Sequence, residues 1–88
     1  MMYVNTFSDV NLSFTEMNDI KKYVGERLKE CRRSLSLTQT DVAKKLFMTQ
    51  QQYSRFENGI FELNYAQIVF LCDLFDISTD YLFGRAQY

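Results

Sequence analysis

The chain has no proline and no histidine, only three glycines and two cysteines, and no long apolar run in its 88 residues. Without histidine, a metal-ligand cluster, a phosphate-cradling glycine loop or a cysteine beside an activating base, the usual equipment of catalysis is missing. No enzyme activity, no catalytic residue, no metal and no cofactor are expected. No apolar stretch approaches the roughly 18 residues of a membrane-spanning helix. The N-terminus also lacks a basic segment followed by an apolar one, so export is not expected and the cytosol is the default compartment. Cys31 and Cys72 are one distant pair rather than a disulfide framework, and each lies among apolar neighbours, where a free thiol packs as a small hydrophobe.

What is present makes one globule. At 47% hydrophobic and 16% aromatic the chain is too apolar for a disordered tail. Its length suits a single domain that removes roughly 60 to 65% of the unfolded surface from water. The net charge of −1 conceals a division. Between residues 21 and 55, Lys21, Lys22, Arg27, Lys29, Arg32, Arg33, Lys44, Lys45 and Arg55 stand against Glu26, Glu30 and Asp41, a net of plus six, and the rest of the chain is minus seven. Such a globule can turn a positive face to phosphates and a negative face to solvent.

Helical periodicity runs from about residue 16 onward. Ile20, Val24, Leu28, Cys31 and Leu35 fall on one stripe of a first helix ending near Ser34 to Ser36. Thr38 with Asp41 forms a capping-box pattern for a second helix whose inward face is Val42, Ala43 and Leu46, and Thr49 with Gln52 repeats it for a third helix closed by Gly59. Asn64 can cap a fourth helix, Tyr65 to about Phe75, burying Ile68, Val69, Leu71, Cys72 and Phe75. Ser78 can cap a short fifth ending before Gly84. The fold class is all-α, five helices with no obvious sheet. Residues 1–16 form a separate extension that is loosely ordered, a dimer-contacting arm built on Val10, Leu12 and Phe14, or a continuation of the first helix, and residues 17–88 form the domain.

The third helix carries the most specific chemistry. At 100° per residue, Tyr53 and Phe56 lie about 60° apart and mark the inward side. Gln51 and Asn58 then point almost directly away, Ser54 and Arg55 lie about 130° round, and Gln50, Gln52 and Glu57 flank them. Glutamine can pair twice with adenine and arginine twice with guanine in the major groove. At the start of the second helix, Gln39 and Thr40 lie where free amides favour an anion. Capped helix, short turn, second capped helix and glycine stop, with Ala43 at the close approach, make a helix-turn-helix in the nucleic-acid sense.

The segments "VGERLKECRR", "LTQTDVAKKL", "SRFENG" and "DISTDYLFGR", in that order from Val24 to Arg85 over about 70% of the chain, resemble the phage repressor and Cro-like (XRE-type) helix-turn-helix family. The resemblance implies a compact five-helix, lambda-repressor-like DNA-binding domain, working as a dimer on palindromic double-stranded operators. Position by position it implies that Gln39, Thr49, Gln50, Gln51, Ser54 and Arg55 face DNA and that Asn58 lies near a phosphate. The "TQQ" at 49–51 is similar to that of a lambdoid repressor whose two glutamines read bases. Arg32 and Glu57 match a pair that bridges the first helix to the end of the third.

The chain departs from the family at three places. Ser36 and Phe47 stand where glycine is common, which predicts either a strained Phe47 or a slightly rewound turn. "GIFELN" at 59–64 replaces basic residues and a proline, so weaker phosphate binding is expected. Its Ile60 and Phe61, with Leu82 and Phe83, are candidates for a dimer contact or for packing within the monomer. The sequence therefore points to a dimeric repressor of transcription. The alternative is a protein-interaction module on the same fold, antitoxin-like or antirepressor-like, with a protein partner and weak DNA affinity.

Overall fold

The computed structural model describes residues 19–85, which form five helices and, among those residues, no strand. They are α1 Ile20–Ser34, α2 Gln39–Lys45, α3 Gln50–Glu57, α4 Tyr65–Phe75 and α5 Thr79–Leu82. The extension at 1–16, with its three readings, lies outside the described residues.

Four of the five helices start on a side-chain cap. Thr38 Oγ1 accepts from the Asp41 amide at 3.0 Å while Asp41 Oδ2 accepts from the Thr38 amide at 2.8 Å. Thr49 with Gln52 and Asn64 with Gln67 repeat this reciprocal box, and Ser78 Oγ accepts from the Tyr81 amide. Each cap satisfies amides that a helix leaves unpaired and contributes about 1 kcal/mol.

All five helices end in the same way. The amides of Ser36 and Leu37 donate to the carbonyls of Arg33 and Arg32, and the same paired pattern recurs at Phe47 and Met48, Gly59 and Ile60, Asp76 and Ile77, and Gly84 and Arg85. The pattern needs one residue in the left-handed region at each end. Only two of the five are glycine; Ser36, Phe47 and Asp76 adopt φ of 58°, 57° and 54°. The turn has therefore not rewound, and the strain sits on Phe47, whose ring is 97% exposed and repays nothing through burial. Phe47→Gly will raise stability by about 0.5 to 1 kcal/mol, because relief of a left-handed side chain exceeds the extra unfolded-state freedom of glycine. A higher urea midpoint checks this, and a lower one would mean that the ring is covered in solution.

The core draws on every helix: Val24, Leu28 and Cys31 from α1, Val42 and Ala43 from α2, Tyr53 and Phe56 from α3, Leu71, Cys72 and Phe75 from α4, and Leu82 from α5. Ala43 is 1% exposed where α2 and α3 cross, and Tyr53, wholly buried, meets Phe56 edge-on at 6.3 Å. Arg27 clasps α5 to α1: its guanidinium lies over the rings of Tyr23 and Tyr81 and donates to both hydroxyls.

Two residues expected inside are outside. Leu35 follows the last residue of α1 and is 49% exposed, because the chain has already turned away from the stripe. Val69 is 57% exposed; α4 is apolar nearly all round, and its inward side is centred instead on Leu71, Cys72 and Phe75, with Ile68 half-buried. No helix among the described residues is long and apolar enough to cross a membrane.

Candidate nucleic-acid interface

The floor of the site is a buried ion pair. Arg32, in the last turn of α1, and Glu57, the last residue of α3, are both buried. Arg32 Nε donates to Glu57 Oε2 at 2.6 Å and Arg32 Nη2 to Glu57 Oε1 at 3.0 Å, a two-point contact that fixes angle as well as distance. Arg32 Nη1 donates to the Leu37 carbonyl at 2.9 Å, which ties in the loop before α2. Gly25 makes this approach possible. A Cβ there would stand 2.5 Å from the carbonyl oxygens of Phe56 and Glu57, so α1 and the end of α3 lie in backbone contact.

Above the floor runs a relay of amides. An ionised carboxylate can only accept, so Gln39 must turn its NH2 toward Glu57, and Nε2 lies 2.9 Å from Glu57 Oε1. Gln39 Oε1 is then left as an acceptor, and Gln50 Nε2 donates to it at 2.6 Å. The polarity of the Gln50 side chain is thus dictated from the buried carboxylate through one intervening amide. Its second N–H and its Oε1 make no other hydrogen bond among the described residues. Together they present the donor and acceptor that complement adenine N7 and N6.

Gln50 and Gln51 are exposed on the first turn of α3, with Thr49 exposed beside them as its N-cap, and Thr40 is exposed on the first turn of α2. Arg55 is exposed one turn further along, its guanidinium 5.4 Å from the Phe61 ring centre. Ser54 is half-buried, and its Oγ accepts from Asn58 Nδ2 at 3.2 Å; Asn58 itself caps the end of α3 and is exposed. The hydrogen bond from Gln50 to Gln39 joins the starts of α2 and α3. Glu57, placed by rotation on a flank of α3, is instead buried, 4% exposed.

The four candidates for a dimer contact do not stay together. Ile60 and Phe61 are 55% and 49% exposed, but Leu82 is wholly buried. Leu82 is no surface residue, because the single turn of α5 points it into the core cluster that also holds Leu28 and Leu71. Phe83 is half-buried against that core. The sequence reading missed the coupling of Gln39 to both Glu57 and Gln50. The signal available was the repeated Thr-Gln start of α2 and α3, "TQTD" and "TQQQ", which puts a glutamine at the first helical position of each.

Burial opposes the charge on Glu57, but the hydrogen bonds from Arg32 and Gln39 outweigh it and hold its carboxyl below the usual range. A carboxyl whose folded pKa is depressed adds stability that is fully present above its unfolded pKa of about 4.3, and this is lost as pH falls toward the folded value. Asp41 is depressed as well, through the amide and hydroxyl of Thr38. Thermal melts will therefore show the melting temperature dropping below about pH 5, and Glu57→Gln, though less stable at neutral pH, will have the shallower acid slope. An unchanged slope in that variant would contradict the assignment. Tyr53, beside Glu57, is pushed the other way, its hydroxyl raised well above the phenol range first by burial and then by the carboxylate.

Residues 28–82, which take in the last two turns of α1 and all of α2 to α5, match the profile of a family described as helix-turn-helix. The chain belongs to the Cro-like helix-turn-helix family. Three relatives of this helix-turn-helix protein come from Bacillus subtilis strain 168. The uncharacterized HTH-type transcriptional regulator YqaE is 39% identical over 57 residues, covering 65% of this chain and 49% of the relative. The HTH-type transcriptional regulator ImmR is 34% identical over 62 residues, covering 70% and 49%. The SPbeta prophage-derived uncharacterized HTH-type transcriptional regulator YonR is 38% identical over 58 residues, covering 66% and 54%. The chain spans about half the length of the curated relatives it matches. All three are named as regulators of transcription, and the family is not an enzymatic one.

Proposed function

We propose that this helix-turn-helix protein is a sequence-specific DNA-binding regulator of transcription, a dimeric repressor that lays α3 in the major groove of a palindromic operator and acts in the cytoplasm at the nucleoid. The observation that carries the reading is the relay from Arg32 through Glu57 and Gln39 to Gln50. It orients an exposed amide on the helix that the family lays against DNA, and a preset hydrogen-bonding polarity favours one base edge over another. In this reading Gln50, Gln51 and Arg55 contact bases, and Thr49 and Ser54 border them. Gln39, Thr40 and Asn58 hold phosphates, which set register without discriminating sequence.

Replacing Gln50 and Gln51 together with alanine tests it. Neither side chain faces the core, so folding stability should change by no more than about 0.5 kcal/mol. Preference for a selected operator over a scrambled duplex should fall by about 1 to 3 kcal/mol for each amide that pairs with a base. Undiminished preference, measured by competition binding at fixed salt, would reject the assignment. The alternative reading, a protein-interaction module, draws support from the apolar residues exposed after α3 and predicts no sequence preference in the unmodified protein.

A further inference from the structure

An apolar groove of about 320 Å³ opens beside the end of α3. Ile20, Leu63, Ile68 and Phe83 line it, and the charged residues Lys21 and Glu62 stand on its rim. Around it Phe61 and Tyr65 are 49% and 89% exposed, with Ile60 at 55% just before and Val69 at 57% one turn along α4. This leaves a monomer with a grouped set of large apolar side chains in water.

We propose that this groove is where a second copy of the chain docks, about a two-fold axis that brings the Ile60–Tyr65 segment of each copy against the groove of the other. The inference rests on the dimeric reading given above and says where that dimer forms. Two observations select a second copy over another occupant. The first is area: the four exposed side chains present on the order of 400 Å² of apolar surface, judged from the size of aromatic and aliphatic side chains. A homodimer interface of about 800 Å² per partner, about two-thirds apolar, needs about 500 Å² from each copy, and the half-buried groove walls supply the remainder.

The second is charge. Lys21 and Glu62 are exposed and of opposite sign, they border the same groove, and among the described residues neither is paired within the chain. A two-fold contact places the same patch on both sides, so a patch carrying one unpaired charge of each sign is complementary to itself. The Lys21 of each copy can meet the Glu62 of the other, twice per dimer, which sets register more than it adds strength. Phe61 lies under the Arg55 guanidinium, so the contact would also steady a side chain of the reading face.

Sedimentation equilibrium of the full chain across the micromolar range tests this, with circular dichroism melts as a check on folding. The wild type should be a dimer. Lys21→Glu and Glu62→Lys should each raise the dimer Kd by about tenfold or more, since each replaces two attractions with two repulsions. The combined Lys21→Glu, Glu62→Lys protein should return to within about threefold of wild type, a rescue that a general surface effect would not give. Tyr65→Ser should shift the protein to a monomer that still melts cooperatively, at the lower, concentration-independent temperature expected once association no longer stabilises the fold. A wild type that stays monomeric, which would mean that the groove has another occupant, or a dimer indifferent to the charge reversals, which would mean that the copies meet elsewhere, overturns the proposal. The DNA reading fails separately. Its failure would leave this dimer intact without sequence preference, whereas failure of the dimer would leave a monomer that still prefers a half-site.

Discussion

Glu57→Ala will lose about 3 to 5 kcal/mol of folding stability, and Arg32→Ala a similar amount, as much as truncating a large residue of the core. Each leaves the surviving partner charged, buried and without its two-point contact, which is the expensive outcome. Glu57→Ala also strands the Gln39 amide, so it should be the worse of the two. Removing both partners and filling the space, as in Arg32→Met with Glu57→Leu, leaves no unpaired charge, and the double variant should lose no more than either single change. Denaturant unfolding of the four proteins checks this, and additive losses would show that the two side chains act independently. The milder Glu57→Gln removes the acceptor-only character that sets the relay, so base preference at Gln50 should relax even where the protein remains folded.

Gly25→Ala will lose about 3 kcal/mol, a fall in melting temperature of roughly 15 °C for a domain of this size. On helix propensity alone the change should stabilise α1 by about 1 kcal/mol, since glycine is a poor helix former. Geometry decides otherwise. The added methyl would stand 2.5 Å from two carbonyl oxygens, and these belong to backbone that is pinned at the end of α3. Separating the helices enough to admit it would stretch the Arg32–Glu57 contact, so the variant should also bind its operator less selectively. A protein stabilised by this change would show that α1 and α3 do not approach as closely as described.

Much of this architecture could be read from local sequence because the helix starts are chemically distinctive. Thr38 with Asp41 and Thr49 with Gln52 declare two helices, and Tyr53 with Phe56 declares which side of α3 is inward. The helix ends were less legible. Gly59 and Gly84 announced two of the left-handed stops, but Asp76 makes the same turn without glycine, and no local rule singles it out. Periodicity misled on α4, where Tyr65, Ile68, Val69, Phe70, Leu71, Cys72, Leu74 and Phe75 are all apolar, so the stripe that would separate core from surface is missing. It misled again on α5, because a single helical turn does not reveal that Leu82 points inward while Phe83 is only half covered. Within the site, the residue types on α3 were readable from rotation alone. The link from Gln39 to Gln50 was not, since it joins two helices and depends on which end of each amide faces the buried carboxylate.

In the proposed function the outer side of α3, aligned from beneath by Glu57 through Gln39, discriminates between base sequences. Selection of binding sites from random duplexes by the full chain tests this, at about 100 mM salt, where phosphate attraction is screened beyond about 10 Å. The expected result is enrichment of a two-fold symmetric motif carrying adenine at a fixed place in each half. A pool that remains random after repeated rounds would contradict it.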